Sequence, residues 1–450
     1  GHAYTTLAAD VIARAHKAKG DDSFFLVGTD EHGAKVAEAA AAAGKDPQTF
    51  TDEVAGEFRA AWKNLGIEYS DFIRTTEPRH KNRVAAFLEV LKKNGALYEG
   101  EYRGLYCVGC ENFITAKELV DGLCPMHKKK PQEVVEKNWF FKLSEYLDKV
   151  GKLISSDKLK IRPDSAKKEA LGLIKQGLED FSLSREKVKW GIPLPWDESQ
   201  TVYVWVDALL NYITARGYPD LGDAWPADLQ LVGKDILKFH AIYWPAMLLA
   251  AGLEPQRELF VHGYFSIDGQ KMSKSLGNVI DPNDLVKEYG VDGARYLILS
   301  QFPFGQDGDI KLEKFKEQYN ADLANGLGNL VARISNLIEK NLGGEIYQKD
   351  HKPVASDFDD LFANYQFYEA LKAIFLRIND IDRQIDKAKP WELVKTNKEK
   401  AKIFLSAIAD EILNIAKDLR PFLPDTSEKI INQFSAKKIA KGESLFPRQA

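Results

Sequence analysis

Two lysines three positions apart could stabilise negative charge on a polyphosphate. Lys271 and Lys274 lie in the string Lys-Met-Ser-Lys-Ser, which is flanked by Gly269 and Gly277 and therefore suits a loop. A lysine carries a compact charge on a flexible stem, and such a charge can follow a phosphate as negative charge develops on it. A solvated basic loop has the same composition, so the two lysines alone leave both interpretations open.

Three cysteines and a histidine have the spacing of metal ligands. Cys107 and Cys110 form one C-x2-C pair, and Cys124 and His127 form a second pair with the same spacing. This pattern is typical of a structural zinc site with three thiolates and one imidazole. A redox-active C-x2-C is the alternative, but the second pair favours zinc. All three cysteines of the chain belong to the pattern, which strengthens the prediction of zinc. An odd number of cysteines in a long chain is also a poor disulfide framework.

Asp30 follows a short apolar run at 23–28, which predicts a buried parallel strand. Ligands of α/β sheets bind beyond the carboxyl ends of the strands. A carboxylate there could hold a cationic amino group, or it could cap the following helix. The position of Asp30 leaves these two roles open.

The composition excludes a membrane span and leaves a nucleic-acid partner open. The chain has 450 residues, 44% of them hydrophobic, which suggests about three domains with sizeable cores. No apolar run reaches eighteen residues, and the first residues do not resemble a signal peptide. The net charge of −4 decides nothing about nucleic acid, since binding needs only a local basic face. We expect a cytoplasmic protein without a membrane partner.

The apolar pattern predicts an α/β part with an insertion, followed by a helical part. The strand-like runs are 23–28, 202–206, 229–232 and 258–263. They alternate with helical patterns, as in a doubly wound α/β domain. Alternating tyrosines from Tyr98 predict hairpins in an insertion that carries the cysteines and ends near Trp190. Beyond Pro282, apolar stripes at helical spacing predict a helix bundle to the end of the chain.

Several strings, in order along nearly the whole chain, resemble the methionyl-tRNA synthetases, a family of class I aminoacyl-tRNA synthetases. Besides the cysteine pattern, the matching strings are 1–6, 28–33, 190–195, 203–208, 233–236, 239–240, 271–275, 329–333 and 389–391. The resemblance implies an α/β doubly wound (Rossmann-type) catalytic domain with an inserted zinc-knuckle connective domain, followed by an all-α helix-bundle anticodon-binding domain. The implied parts are the halves of the catalytic domain at 1–96 and 191–265, the connective insertion at 97–190, the KMSKS loop and stem-contact region at 266–315, and the anticodon-binding domain at 316–450.

The resemblance also implies an activity. It is the ATP-dependent activation of L-methionine to methionyl-adenylate, with Mg²⁺ accompanying ATP, and transfer of methionine to the 3′ end of tRNA(Met). The implied ATP-binding residues are His2, Gly233, Asp235, Lys271 and Lys274, of which His2 and the lysines are catalytic. The implied methionine-binding residues are Asp30, Trp205, Ala208, Leu209, Tyr212, Ile236 and His240. The implied anticodon-binding residues are Asn329, Arg333 and Trp391, and the implied zinc ligands are Cys107, Cys110, Cys124 and His127.

Structural roles for the same residues remain alternatives. Trp205 and Tyr212 could be core packing, and Trp391 could be a capped core aromatic. Asn329 and Arg333, four residues apart, could be an ordinary surface pair on a helix.

Two other functions also remain open. The first is a different nucleotide-dependent ligase, such as a synthetase for another apolar amino acid, and the second is an RNA-binding protein without catalysis. The chain starts within the family's HIGH signature, so we expect that it lacks the preceding strand and that activity is impaired.

Overall fold

A computed structural model of the chain describes residues 2–114, 116–267, 269–271, 280–347 and 358–449. Its helices are α1 His2–Lys19, α2 Ala34–Ala42, α3 Pro47–Asn64, α4 Pro78–Lys93, α5 Leu147–Ser155, α6 Asp164–Gln176, α7 Val204–Thr214, α8 Trp244–Ala250, α9 Pro282–Leu299, α10 Glu313–Gln318, α11 Asn329–Leu342, α12 Phe358–Ala363, α13 Phe367–Ala388, α14 Pro390–Thr396, α15 Lys398–Leu419 and α16 Pro424–Phe434. Two π-helical segments, Phe239–Tyr243 and Tyr319–Gly328, lead into α8 and α11.

The strands are β1 Leu26–Thr29, β2 Asp71–Arg74, β3 Leu97–Cys107, β4 Asn112–Ile114, β5 Gln132–Phe141, β6 Lys160–Arg162, β7 Phe181–Ser182, β8 Ser184–Arg185, β9 Pro193–Leu194, β10 Asp197–Val202, β11 Leu229–Gly233, β12 Glu258–His262, β13 Phe265–Ile267, β14 Gln270–Lys271 and β15 Gly308–Ile310. The described residues form two compact units. The first contains Gly1–Ser23, Ala61–Glu68 and Gly263–Ala450, and the second contains Phe24–Ala60 and Tyr69–His262.

Parallel strands in the second unit confirm its α/β character. β1 pairs in parallel with β2, and the chain connects these two strands through α2 and α3. β11 pairs in parallel with β12, and the chain connects them through α8. β6 also joins β12 in parallel, so the segment 97–190 contributes a strand to this sheet. The described residues of the second unit thus contain two separate parallel sheets, and a single doubly wound Rossmann-type sheet remains a prediction. Both sheets end next to the predicted site residues, Asp30 after β1 and Gly233 at the end of β11.

The predicted strand at 202–206 is wrong. β10 ends at Val202, and α7 begins at Val204. A short apolar run fits a buried strand or a buried helix equally well. Here the buried residues Val206, Leu210 and Ile213 recur at helical spacing, and they decide for a helix. The segment that follows the insertion contains β9, which pairs antiparallel with β10.

The predicted hairpins of the insertion are confirmed. β3 carries Tyr98, Tyr102 and Tyr106, and it pairs antiparallel with β5 over its length and with β4 at its end. The pairing of β3 with β4 brings Cys107 opposite Asn112. The cysteine-rich turns therefore extend from one end of a regular sheet.

Among the described residues beyond Pro282, helices dominate, with one strand that the pattern did not predict. β15 lies between α9 and α10 and pairs with β13. Beyond it, α15 packs against α11, α13, α14 and α16. One of the predicted apolar stripes runs from Leu323 to Ile338. Its residues Leu327, Leu330 and Ile334 are buried, which confirms the predicted helical spacing. No helix among the described residues combines the length and apolar character needed to cross a bilayer.

Candidate active site and metal knuckle

Cys107, Cys110, Cys124 and His127 converge beyond the end of β3, and we call these four residues the metal knuckle. Their ligand atoms all lie within 4.8 Å of one another. Cys110 Sγ lies 3.5 Å from Cys124 Sγ and 3.1 Å from His127 Nδ1. His127 Nδ1 lies 4.0 Å from each of the other two sulfurs. All three thiols are free of disulfide bonds.

These donors fit a structural zinc ion. Tetrahedral zinc, with bonds of about 2.0–2.3 Å to nitrogen and sulfur, separates its ligand atoms by roughly 3.3–3.8 Å. Burial raises the pKa of the Cys110 thiol, and the neighbouring Cys124 and Cys107 raise it further. Three thiolates this close together would therefore need a cation. A Cβ at Gly109 would lie 2.6 Å from the His127 ring, so this glycine lets the imidazole pack against the backbone.

Asp30 follows β1 as predicted, and its surroundings favour a cationic ligand. Burial and the charge of Asp207 raise the pKa of Asp30 to about 6, while His80 and Asn211 act in the opposite direction. Asp30 is nevertheless exposed to solvent, so a ligand can reach its carboxylate. A carboxylate in such a place is stabilised by a positively charged partner.

The neighbouring Glu31 is a structural residue that sequence analysis missed. Its two carboxylate oxygens accept hydrogen bonds from Arg74 Nε at 2.7 Å and Arg74 Nη2 at 3.0 Å. The hydroxyls of Thr29 and Thr76 donate to the same carboxylate. Arg74 lies opposite Thr29 in the parallel pair of β1 and β2, so only the strand register brings this ion pair together.

A buried carboxylate holds two histidines beside Asp30. Asp207 on α7 is 1% exposed, and its oxygens lie 2.7 Å from His32 Nδ1 and 2.7 Å from His80 Nε2. Thr214 Oγ1 lies 2.7 Å from His80 Nδ1. Burial acts to raise the pKa of Asp207, but the two imidazole contacts outweigh it and lower the pKa. This network fixes α4, α7 and the turn after β1 relative to one another.

Aromatic side chains from α7 and from the segment after β11, which were predicted to line the methionine pocket, contact one another, and we call them the aromatic wall. The rings of Trp205 and Phe239 stack with centroids 4.0 Å apart. Tyr212 Oη lies 2.9 Å from His240 Nε2, and His240 Nδ1 lies 3.0 Å from the Ile236 carbonyl oxygen. A carbonyl only accepts, so Nδ1 carries the proton and Nε2 accepts from the Tyr212 hydroxyl.

Burial keeps this histidine neutral. His240 lies in the π-helical segment that precedes α8, and burial lowers its pKa to about 4. Trp205 and Tyr212 are only half-buried, which disfavours a pure core role for either. The wall therefore presents aromatic faces and a neutral hydroxyl–imidazole pair, a surface suited to an uncharged side chain.

The remaining predicted residues of this unit lie on the same elements. Ala208 and Leu209 are buried on α7, and Ile236 is half-buried in the turn after β11. A Cβ at Gly233 would lie 2.6 Å from Asp235 Oδ1, so the Asp235 carboxylate lies over the Gly233 backbone. Asp235 is exposed and accessible to a ligand.

His2 and the lysine loop belong to the first unit. His2 is exposed as the first residue of α1. The backbone of Lys271 pairs with Ser266 in β13, whereas Lys274 lies outside the described residues. Asp309 Oδ1 accepts hydrogen bonds from Gly269 N at 2.8 Å and Ser266 Oγ at 2.7 Å. Asp309, which sequence analysis missed, thus holds the turn that precedes Lys271.

The three predicted anticodon readers lie on two helices of the first unit that pack together, α11 and α14. Asn329 is exposed on α11, and Trp391 on α14 is 38% exposed, which rules out the core role considered for it. Arg333 pairs with Asp382 Oδ1 at 2.5 Å and lies 3.6 Å from Asp386 Oδ1. The Trp391 ring is therefore exposed to solvent, whereas the Arg333 guanidinium is engaged by two carboxylates.

Comparisons with known proteins agree with this arrangement. The chain matches the family described as tRNA synthetases class I (M) over residues 1–136 and 116–335. It is 40% identical to the methionine–tRNA ligase of Clostridium acetobutylicum, covering 100% of this chain and 75% of that protein. It is also 40% identical to the methionine–tRNA ligase of Streptomyces coelicolor, covering 97% of this chain and 87% of that protein.

A solved structure has the same fold. The crystal structure of Mycobacterium tuberculosis methionyl-tRNA synthetase bound by methionyl-adenylate is similar with a TM-score of 0.90 and 34% identity. The match covers 100% of this chain and 96% of that one. The fold and the family match define a class I tRNA synthetase. Within that class, the chain belongs to the family of methionine–tRNA ligases.

Proposed function

We propose that the chain activates L-methionine with ATP to methionyl-adenylate and transfers methionine to the 3′ end of tRNA(Met). The observation that carries this proposal is the neutral aromatic wall next to a solvent-accessible carboxylate. Asp30 would hold the methionine ammonium group, and the wall would hold the thioether. Aromatic rings favour a thioether sulfur by roughly 0.3–1.5 kcal/mol.

The methionine pocket would be built from α7 and the segment after β11. Its residues would be Trp205, Ala208, Leu209, Tyr212, Ile236 and His240. Polar amino acids would be rejected because the wall cannot replace the water lost from their side chains. The neutral His240 adds no charge that would favour an acidic or basic side chain.

The adenosine of ATP would bind at Gly233 and Asp235, with the Asp235 carboxylate on the ribose hydroxyls. His2, Lys271 and Lys274 would bind the phosphates. The methionine carboxylate would attack the α-phosphorus of ATP, which would be bound together with Mg²⁺. A new phosphorus–oxygen bond would form while the bond from the α-phosphorus to the bridging oxygen breaks, and pyrophosphate would leave. No protein nucleophile is required, so catalysis consists of positioning and charge stabilisation.

The metal knuckle would hold one structural Zn²⁺ through Cys107, Cys110, Cys124 and His127. A zinc site closed by four protein ligands stabilises the local fold and takes no part in chemistry. Metal analysis of purified protein should find about one zinc per chain, because the four donors complete a tetrahedral shell.

The helical part, 316–450, would bind the anticodon through Asn329, Arg333 and Trp391. An exposed tryptophan can stack a base that is splayed out of a single-stranded loop. The other parts would be the Rossmann-type catalytic halves 1–96 and 191–265, the connective insertion 97–190, and the loop and stem-contact region 266–315.

Amino-acid-dependent exchange of pyrophosphate into ATP tests the proposal. Methionine should support exchange at a kcat/KM at least about tenfold above leucine, isoleucine and valine, since a pocket distinguishes such side chains by roughly 1–3 kcal/mol. A higher value with another apolar amino acid would reassign the substrate. Binding of tRNA without exchange by any amino acid would support an RNA-binding protein and overturn the proposal.

A further inference from the structure

Glu111 lies next to the knuckle residue Cys110, and its carboxylate contacts the start of α2. Glu111 Oε1 accepts a hydrogen bond from the backbone N–H of Lys35 at 3.0 Å. A Cβ at Gly33 would lie 2.1 Å from the same oxygen. The carboxylate therefore lies directly against the backbone of Gly33, whose φ of 109° is a further reason for glycine there.

The contact supplies a cap that α2 lacks locally. The residue before α2 is Gly33, which has no side chain to accept a hydrogen bond. Lys35 is the second residue of the helix, where a capping side chain normally accepts, and a carboxylate also complements the positive end of the helix dipole. Asp30 lies three residues before Gly33, so Glu111 helps to fix the backbone that carries Asp30.

The same knuckle segment also contacts the aromatic wall. Tyr203 Oη donates to the Glu111 carbonyl oxygen at 2.8 Å. Trp205 Nε1 donates to the Cys110 carbonyl oxygen at 3.4 Å. The segment 110–111 thus bonds to the beginning of α2 on one side and to the beginning of α7 on the other.

We infer that Glu111 is a positioning residue that couples the metal knuckle to the amino-acid site. A metal held by the knuckle would fix Cys110 and, through the backbone, its neighbour Glu111, which holds the backbone near Asp30. Binding of the metal should therefore tighten the binding of the amino acid. The choice of methionine as the probe rests on the proposed function.

The first test compares variants by equilibrium dialysis with radiolabelled methionine, with the metal content of each measured. Glu111→Ala should keep its metal and raise the methionine Kd about five- to tenfold, the usual scale for loss of a helix cap. Glu111→Gln should bind like the unchanged protein, because its amide oxygen still accepts from Lys35. Glu133→Ala is the matched control, because Glu133 is exposed on β5, the strand that pairs with β3. It should leave both the metal content and the methionine Kd unchanged.

Glu111→Asp keeps the test decisive if the alanine variant fails to fold. It retains the charge but shortens the reach, so it should raise the Kd about as much as alanine does. An unchanged Kd in Glu111→Ala or Glu111→Asp overturns the inference, as does loss of metal in either variant.

The second test removes the metal with a chelator and repeats the dialysis. Chelation should raise the methionine Kd of the unchanged protein about five- to tenfold, but less than about twofold in Glu111→Ala, because coupled perturbations are not additive. Fully multiplicative effects would overturn the inference. If the unchanged, metal-loaded protein does not bind methionine at all, the proposed function fails instead.

Discussion

At the scale of the residue, burial acts on two groups of the amino-acid site in opposite ways. It raises the pKa of Asp30 to about 6 and lowers the pKa of His240 to about 4. In both cases burial disfavours the charged form. At neutral pH His240 is therefore neutral, whereas Asp30 is mostly ionised. The two residues together suit a ligand with one positive charge and an uncharged side chain.

Replacing Asp30 should remove both affinity and its pH dependence. Asp30→Asn should raise the methionine Kd roughly 10- to 100-fold, since hydrogen bonds to charged groups contribute about 1.5–3 kcal/mol. The raised pKa means that the carboxylate is protonated below about pH 6. The Kd of the unchanged protein should therefore rise about tenfold per pH unit below that value. Dialysis at several pH values measures both effects.

The control for this experiment is Asp22→Asn, at an exposed position before β1. It should reproduce the affinity and the pH profile of the unchanged protein. A sloping pH profile that persists in Asp30→Asn would assign the ammonium contact to another group.

His240 should make the second unit less stable in acid. Its folded pKa of about 4 lies below the unfolded value of about 6.5, so the unfolded state binds more protons between these values. Stability due to the neutral imidazole is thus complete above pH 6.5 and is lost as the pH falls toward 4. His240→Asn should flatten this part of the profile, measured as the urea midpoint at pH 7 and pH 5.

The slope of His240→Asn is compared with the slope of the unchanged protein under the same conditions. An equal slope in His240→Asn and the unchanged protein would mean that His240 is already charged in the folded state.

Local patterns predicted some of these residues but not others. The place of Asp30 after an apolar run, and the spacing of the cysteines with His127, are both visible along the chain. The partners of Glu31 and Asp207 are not, because Arg74 lies on another strand and His32 and His80 lie far from Asp207 in sequence. Such contacts exist only once the strands and helices have packed.

At the scale of the element, short apolar runs predicted secondary structure least reliably. The run at 202–206 became the end of β10 and the start of α7, whereas the runs that became β11 and β12 were predicted correctly. The run at 202–206 differs from the other two because the buried face of α7 continues through Leu210 and Ile213. Long helical stripes were more reliable, since a repeated 3.6-residue period admits one interpretation.

Replacing Trp391, the exposed aromatic residue on α14, should impair recognition of tRNA without impairing activation of the amino acid. Trp391→Ala should lower the kcat/KM for tRNA charging roughly 5- to 150-fold, the scale of a lost stacking contact of about 1–3 kcal/mol per base. Pyrophosphate exchange should stay within about twofold, because Trp391 takes no part in the proposed activation step. Steady-state charging and exchange assays measure the two rates.

Leu376→Ala is the matched control, since Leu376 is 52% exposed on the neighbouring α13. It should leave both rates unchanged. Equal losses of charging and exchange in Trp391→Ala would indicate a role in folding rather than in contact with RNA.

At the scale of the whole molecule, a buried ion pair in the first unit links α1 to the C-terminal helices. Arg295 on α9 and Asp10 on α1 are fully buried, with Nη2 and Oδ2 2.7 Å apart. Arg295 also donates to the carbonyl oxygens of Leu65, Pro421 and Phe422. The charged pair thus ties α1, which carries His2, to the C-terminal helices. Nothing in the local sequence around Asp10 predicts this contact.

Removing the buried anion should destabilise the first unit strongly. Asp10→Ala leaves Arg295 without its counterion, and breaking a buried pair costs about 3–5 kcal/mol. Arg295→Met should cost less, because Asp10 keeps its hydrogen bonds with Arg14 Nε and Glu68 N. Urea unfolding of both variants checks the order, with Arg420→Ala at an exposed position as the neutral control. A larger loss in Arg295→Met than in Asp10→Ala would contradict this account.

Direct detection of the activated amino acid tests the central claim. The protein should be mixed with α-labelled ATP and one amino acid at a time, and the labelled adenylate should be resolved from AMP. The account predicts an adenylate with methionine but not with leucine or valine, and its consumption with matching formation of methionyl-tRNA when tRNA(Met) is added. Adenylate formed with another amino acid, or none formed with methionine by metal-loaded protein, would contradict it.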